Sequence, residues 1–432
     1  MTTRQELHKQ HPQAAHQRDV NYDLLRVVAM CLVIGVHVVN NYMPVKMTLA
    51  GPAETVRFTL FALFMTCNPL FIMVSGRFNL TFRVGEAAGE AGFRHSEAAN
   101  GDGSRLSGTP GSASGSEPAS DGDGSGVAAL QQATSQQTDD SRPSADGQPS
   151  VRAALAPYLR YYYKRFVSLI APYLLYAGGL GFVAYLVMDH RSVGGAMVGT
   201  LFDLFSGYDD SVYWFVFMLA GFVLATPFLA PMMQRIGRAG AWLLIGLAAA
   251  VAAAEQICAL AGYPLTFLSS FPWRGLLFYY MLGYVLEYYP PSNRARHALY
   301  AIAPFALAWT VATPTLFPGH PAQVNRTLTV AYAVVVAAVF LFFRYDVHIR
   351  SERARKAIIW LAGYSYTIYL VHSPLSKVAI GRFLPTPTNG LQYAGISVLM
   401  FLATLLAALA FALIADNLLL KPIQRLLRRV RV

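Results

Sequence analysis

Arg26 and His37 lie in the first long apolar stretch of the chain with ten largely apolar residues between them. An ionisable residue inside a membrane-length helix costs at least ~2.5–3.5 kcal/mol on insertion scales, so it marks a functional position. Eleven steps of about 100° bring both side chains within about 20° of one face, roughly 16 Å apart along the axis. That spacing suits a ligand lying lengthwise along the helix. A guanidinium at one end would hold phosphate, and a neutral imidazole at the other can serve as a general base near pH 7. Asp23 precedes Arg26 by three positions and is close enough to pair with it. A snorkelling arginine neutralised by its own helix therefore stands beside the ligand-binding reading.

Other residues extend the pattern. The second apolar stretch runs back toward the side it started from and ends Val74-Ser75-Gly76-Arg77, which returns Arg77 to the depth of Arg26. Two arginines at one depth can hold phosphate or pyrophosphate bidentately. Ser75 and Gly76 are small enough for close helix approach, or for close backbone approach to a ligand. The third stretch opens Arg160-Tyr161-Tyr162-Tyr163-Lys164-Arg165, a belt that either anchors the helix at the interface or funnels in an anionic ligand. The ninth carries Tyr369 and His372, three apart and on one face, with His372 as deep as His37. Glu255 in the fifth stretch, and Asp209, Asp210, Tyr213 and Trp214 at the mouth of the fourth, would suit a carbohydrate acceptor on the outer side. Partial exposure and an interfacial aromatic belt explain these last residues equally well. Cys31, Cys67 and Cys258 have no metal-ligand or disulfide spacing.

The elements that must position these residues follow from composition. Of 432 residues, 55% are hydrophobic and 13% charged, and the mean hydropathy is positive. This pattern predicts an all-α polytopic membrane protein. Ten apolar stretches are long enough to span the bilayer: about 20–43, 55–82, 160–188, 211–232, 240–262, 272–289, 298–316, 325–343, 357–380 and 392–419. Twenty-five Lys and Arg fall on one set of alternating connections and seven on the other, with Arg26 and Arg77 inside spans. The strict alternation predicts both termini on the cytoplasmic side. The net charge of +11 is then a topology signal spread over loops, and no nucleic-acid partner is expected. No cleavable signal peptide is expected. The chain divides into a tail at 1–19, two helices in 20–83, an insertion at 84–152, eight helices in 153–420 and a basic tail at 421–432. The insertion is rich in Gly, Ser, Ala, Asp and Gln and almost free of aromatics. Such a segment cannot bury enough apolar area to offset its chain entropy and is expected to be disordered. No internal repeat supports an inverted-repeat transporter.

Six segments, in order, resemble acyltransferase family 3, the integral-membrane O-acyltransferases. They are Asp23-x-x-Arg26-x10-His37, Asn68–Phe78, Lys164-Arg165 with Pro172, Tyr213-Trp214-Phe215, Tyr279–Leu286 with Gly283, and Ser365–Pro374. The chain departs from the family at Val212, where His often stands, at Ser168, where a second Arg is common, and at Arg77, usually aromatic or apolar. The resemblance implies transfer of an acyl group, acetyl first, from cytoplasmic acyl-CoA to a hydroxyl of a cell-surface glycan or lipid-linked glycan precursor at the bacterial inner membrane. It implies no bound cofactor beyond the co-substrate and no metal. Arg26 with Arg77, Lys164 or Arg165, and Ser75 beside them, would bind the CoA portion. His37 would take the acceptor proton, with Tyr369 and His372 positioning groups or stabilising the oxyanion, and a covalent acyl-histidine is an open variant. Glu255 and Trp214 would lie on the acceptor side. A transporter or flippase of a glycolipid, and a succinyl or longer-acyl transferase, are the alternative readings.

Overall fold

The computed structural model describes residues 18–83, 151–206, 213–263, 275–317, 329–381 and 383–429. Asp209, Asp210, Val212, Arg274, Arg326 and Arg382, and the expected disorder over 84–150, lie outside the described residues. Among the described residues the elements are helices and turns, with no strand. Contacts divide the chain into two units, residues 1–83 with 162–432, and residues 84–161. The second unit contributes only the first turns of one helix to the described part.

Among the described residues, seven helical segments are long and apolar enough to cross a membrane. They are α1 Val20–Lys46, α2 Gly51–Asn79, α3 Val151–Val187, α5 Trp214–Arg235, α6 Gly237–Leu260, α8 Asn293–Leu316 and α12 Gly390–Arg429. Between them come five shorter helices: α4 Val193–Ser206, α7 Leu276–Tyr288, α9 Val330–Leu341, α10 Glu352–Ala362 and α11 Ser365–Pro374. Three of the ten expected spans thus map onto short helices. The stretch 272–289 contributes α7, which follows Gly275 at φ +67°, a backbone that favours glycine. The stretch 325–343 contributes α9, whose last turns continue with wider, π-type bonding through Phe342–Asp346. The stretch 357–380 breaks at Gly363-Tyr364 into α10 and α11.

Three of the short helices, α7, α9 and α11, carry much of the core, whereas α4 and α10 are largely exposed. Every residue from Tyr279 to Leu286 of α7 is buried, as are Thr367 to His372 of α11 and Val335 to Ala338 of α9. The helices α6 and α8 bury only a small share of their surface in the protein. An apolar surface that does not meet protein must meet lipid. Gly76 on α2 and Gly283 on α7 face each other's backbones. A Cβ on Gly76 would lie 1.9 Å from the Tyr280 carbonyl oxygen, and one on Gly283 would lie 2.1 Å from that of Met73. The small-residue stripe at Ser75-Gly76 is therefore spent on helix packing at Gly76. Ser75 itself is half-buried.

Helix α1 packs on α2, α10, α11 and α12, which places its Arg26–His37 face among protein helices. Asp19 caps its start by accepting from the Asn21 amide at 3.1 Å. The Asn21 side chain donates to the carbonyl oxygens of Arg344 and Val347 at 2.9 and 3.2 Å, which ties α1 to the end of the α9 segment. All three cysteines are free.

Candidate active site

At the His37 end, α1, α2, α5 and α11 meet. Helix α2 breaks at Met65-Thr66 between Phe64 and Cys67, and α1 widens to π-type turns over Val38–Tyr42. Both irregularities border a cavity of about 230 Å³ lined by His37, Asn40, Asn41, Asn68, Trp214 and Tyr369 among others. Wide turns and helix breaks are common where a helix must aim side chains at a site. His37 is half-buried, and Asn41 one turn on pairs with its imidazole.

His372 stands behind His37, with ring centroids 5.1 Å apart. Its Nδ1 lies 2.5 Å from the Tyr369 carbonyl oxygen, which can only accept, so Nδ1 carries the proton. Nε2 is buried without a hydrogen-bond partner. In the neutral ring that nitrogen is a lone-pair acceptor, so His372 cannot supply the oxyanion donor expected of it while neutral. Tyr369 is held by ring contacts to Phe71, Phe215 and His372 at 6.5, 5.6 and 5.8 Å. The Tyr213 hydroxyl donates to the Leu370 carbonyl at 3.1 Å, and Tyr42 pairs with the Ser373 hydroxyl at 2.8 Å. These bonds lock α11 to α1 and α5 around the cavity.

At the other end, Arg26 and Arg77 share one ring. Their guanidinium carbons lie 5.1 and 4.5 Å from the centroid of Phe78, as their common depth predicts. Neither is a bare cation. Arg26 pairs with Asp23 at 3.2 Å, and Asp23 also accepts twice from Arg18. Arg77 lies 3.5 Å from Glu287. Glu287 also takes a bidentate bond from Arg344 at 2.8 and 3.0 Å, and Arg344 reaches Asp19 at 3.1 Å. Tyr22 is sandwiched between Arg77 and Arg344, each 5.0 Å from its ring. Four arginines and three carboxylates thus leave one positive charge in excess. Sequence reasoning missed Glu287 and Arg344. Arg344 was counted as a topology cation, and Glu287 closes an apolar stretch where exposure is the ordinary expectation.

The remaining predicted residues disperse. The ring and ion-pair contacts of Arg26 and Arg77 come from α1, α2 and α7, and neither Lys164 nor Arg165 is among them. The turn after Arg165 packs chiefly on α5 and the last turns of α12. Glu255 sits on α6, which packs mainly on α7 and α9 as well as α5, and is not part of the His37 cavity lining. Trp214 does line it. The His37 cavity does not extend to Arg26: its lining on α1 reaches inward only to Val33, and Ala29 and Met30 are buried between its end and Arg26. One further buried acid went unread. Asp416 on α12 accepts from the Tyr176 hydroxyl at 2.5 Å and from Thr367 at 2.8 Å, and so joins α3, α11 and α12.

Among known proteins, no curated sequence and no solved structure matches the chain. A family model described as an acyltransferase domain, that of acyltransferase family 3, matches residues 19–96 and 151–415. Those residues include Arg26, Arg77, Glu287 and Arg344 and the four helices around the histidine pair, and the chain belongs to acyltransferase family 3.

Proposed function

We propose that this protein moves an acyl group, acetyl first, from cytoplasmic acyl-CoA to a hydroxyl of a cell-surface glycan or a lipid-linked glycan precursor. The observation that carries the reading is His37 opening onto a polar-lined cavity on the same helix face as Arg26. The phosphates of CoA would take the place of the single carboxylate contacts that the partly accessible Arg26 and Arg77 make, and a phosphate can engage a guanidinium bidentately. The thin pantetheine arm would follow the α1 stripe toward His37. In this structure that path is filled by Met30, whose unbranched side chain can swing aside at small cost. The acceptor hydroxyl would enter from the Trp214 side, where an aromatic face and the Asn40, Asn41 and Asn68 amides suit a sugar. His37 then removes the hydroxyl proton as the oxygen attacks the thioester carbonyl.

The setting supported by the positive-inside pattern is an inner membrane with both termini cytoplasmic. Deleting the gene and restoring it with the wild type or with His37→Ala tests the reading. Surface glycans analysed by mass spectrometry should lose O-acyl groups in the deletion, regain them with the wild type, and stay unmodified with His37→Ala. Unchanged O-acyl content across all glycans of the deletion strain would refute the proposal.

A further inference from the structure

The geometry points to His372 as the positioning residue for His37: its unpartnered Nε2 accepts the N–H of one His37 nitrogen and so turns the other, bare nitrogen toward the cavity. Three observations converge. His372 is fully buried, and its Nε2 has no hydrogen-bond partner among the described residues. An orphaned acceptor in such a place is destabilising and calls for a donor. Nδ1 is already committed to the Tyr369 carbonyl oxygen, which fixes the tautomer and leaves only Nε2 free. The nearest ring is His37 at 5.1 Å between centroids, a separation at which facing nitrogens reach hydrogen-bond distance after a modest ring rotation. Asn41 is the side chain paired with His37 here, and it lies on the cavity side of the helix.

The arrangement does for His37 what a buried carboxylate does for a catalytic histidine elsewhere. It selects the tautomer and the ring orientation without taking the proton itself. A neutral partner has one consequence a carboxylate would not. The imidazolium formed during transfer gains no opposing charge, so it returns its proton readily. In balance, the acceptor O–H bond breaks and its proton moves to His37. The oxygen forms a bond to the thioester carbon, the C–S bond breaks, and the proton leaves on the CoA thiol. His372 neither gains nor loses a proton over the cycle.

Two substitutions separate positioning from a structural role, because each amide copies one ring nitrogen. His372→Gln places an acceptor near Nε2, and His372→Asn places a donor near Nδ1. The assay is free-thiol release from acetyl-CoA by the purified full-length protein in lipid nanodiscs, with lipid-linked glycan extracted from the wild-type membrane supplied as the acceptor. His372→Ala and His372→Asn should lower the rate roughly 10–100-fold, the usual cost of losing a group that orients a catalytic ligand. His372→Gln should recover most of it. Recovery by Asn instead of Gln would overturn the proposal, since it would show that the bond to Tyr369 is what matters. A second measurement needs no turnover. Nitrogen-15 spectra of histidine-labelled protein should show one fixed His37 tautomer in the wild type and a mixture in His372→Ala. An unchanged His37 tautomer in that variant would also overturn it. The inference rests on His37 being the base. If the wild type releases no thiol, the acyl-transfer reading falls, and the nitrogen-15 result alone decides the pair.

Discussion

Glu287 holds two guanidinium groups at once, and its side chain is largely buried. Removing one partner of a buried ion pair leaves the other charge uncompensated, which typically costs 3–5 kcal/mol. Glu287→Ala should therefore lower unfolding stability by about 3 kcal/mol, read as a drop in Tm of the detergent-solubilised protein. A double-mutant cycle with Arg344→Met should show strong coupling, because the double variant removes most of the stranded charge. Additive losses would show that the two groups do not share one network. The residues legible in the sequence were those whose burial is expensive in an apolar run. Arg26 and His37 stood out for that reason, and the structure puts both on the face that periodicity assigns. Glu287 and Arg344 close their helices, where ionisable groups are unremarkable, so only the fold shows that α7 and α9 bring them together. Asp416 was a single acid in a long apolar stretch and carried a signal that went unused.

Helix α7 crosses α2 backbone to backbone, at Gly76 and Gly283. A methyl group at either site would overlap a main-chain carbonyl, which a rotamer change cannot relieve. Overpacking costs typically 1–3 kcal/mol where side chains can adjust, and here they cannot. Gly76→Ala and Gly283→Ala should each abolish monodisperse protein in size-exclusion chromatography, while Gly246→Ala on α6, with open space around it, should behave as wild type. Equal behaviour of all three would mean that the α2–α7 crossing is looser than described. Long helices were readable from length and hydropathy, because a lipid-facing surface demands apolar residues over the whole bilayer. The short helices were harder. The exposed α10 and the buried α11 read as one apolar stretch over 357–380, and only the break at Gly363-Tyr364 separates them.

The family match leaves out residues 97–150, most of the Gly- and Ser-rich insertion, so both matched segments build the described helices without it. Excising 97–150 and joining the flanks should leave membrane insertion and acyl transfer intact, measured by yield of folded protein and by glycan O-acylation. Loss of both would assign the segment a role in assembly. The plug formed by Ala29 and Met30 has a consequence at this scale. A protein that passed coenzyme A along an open furrow would also pass protons and salts, and would drain the electrochemical gradient that the cell maintains. If the proposed function holds, the pantetheine chain would have to displace Met30 to reach His37, and the buried stretch at Ala29 and Met30 would keep the bilayer tight between turnovers.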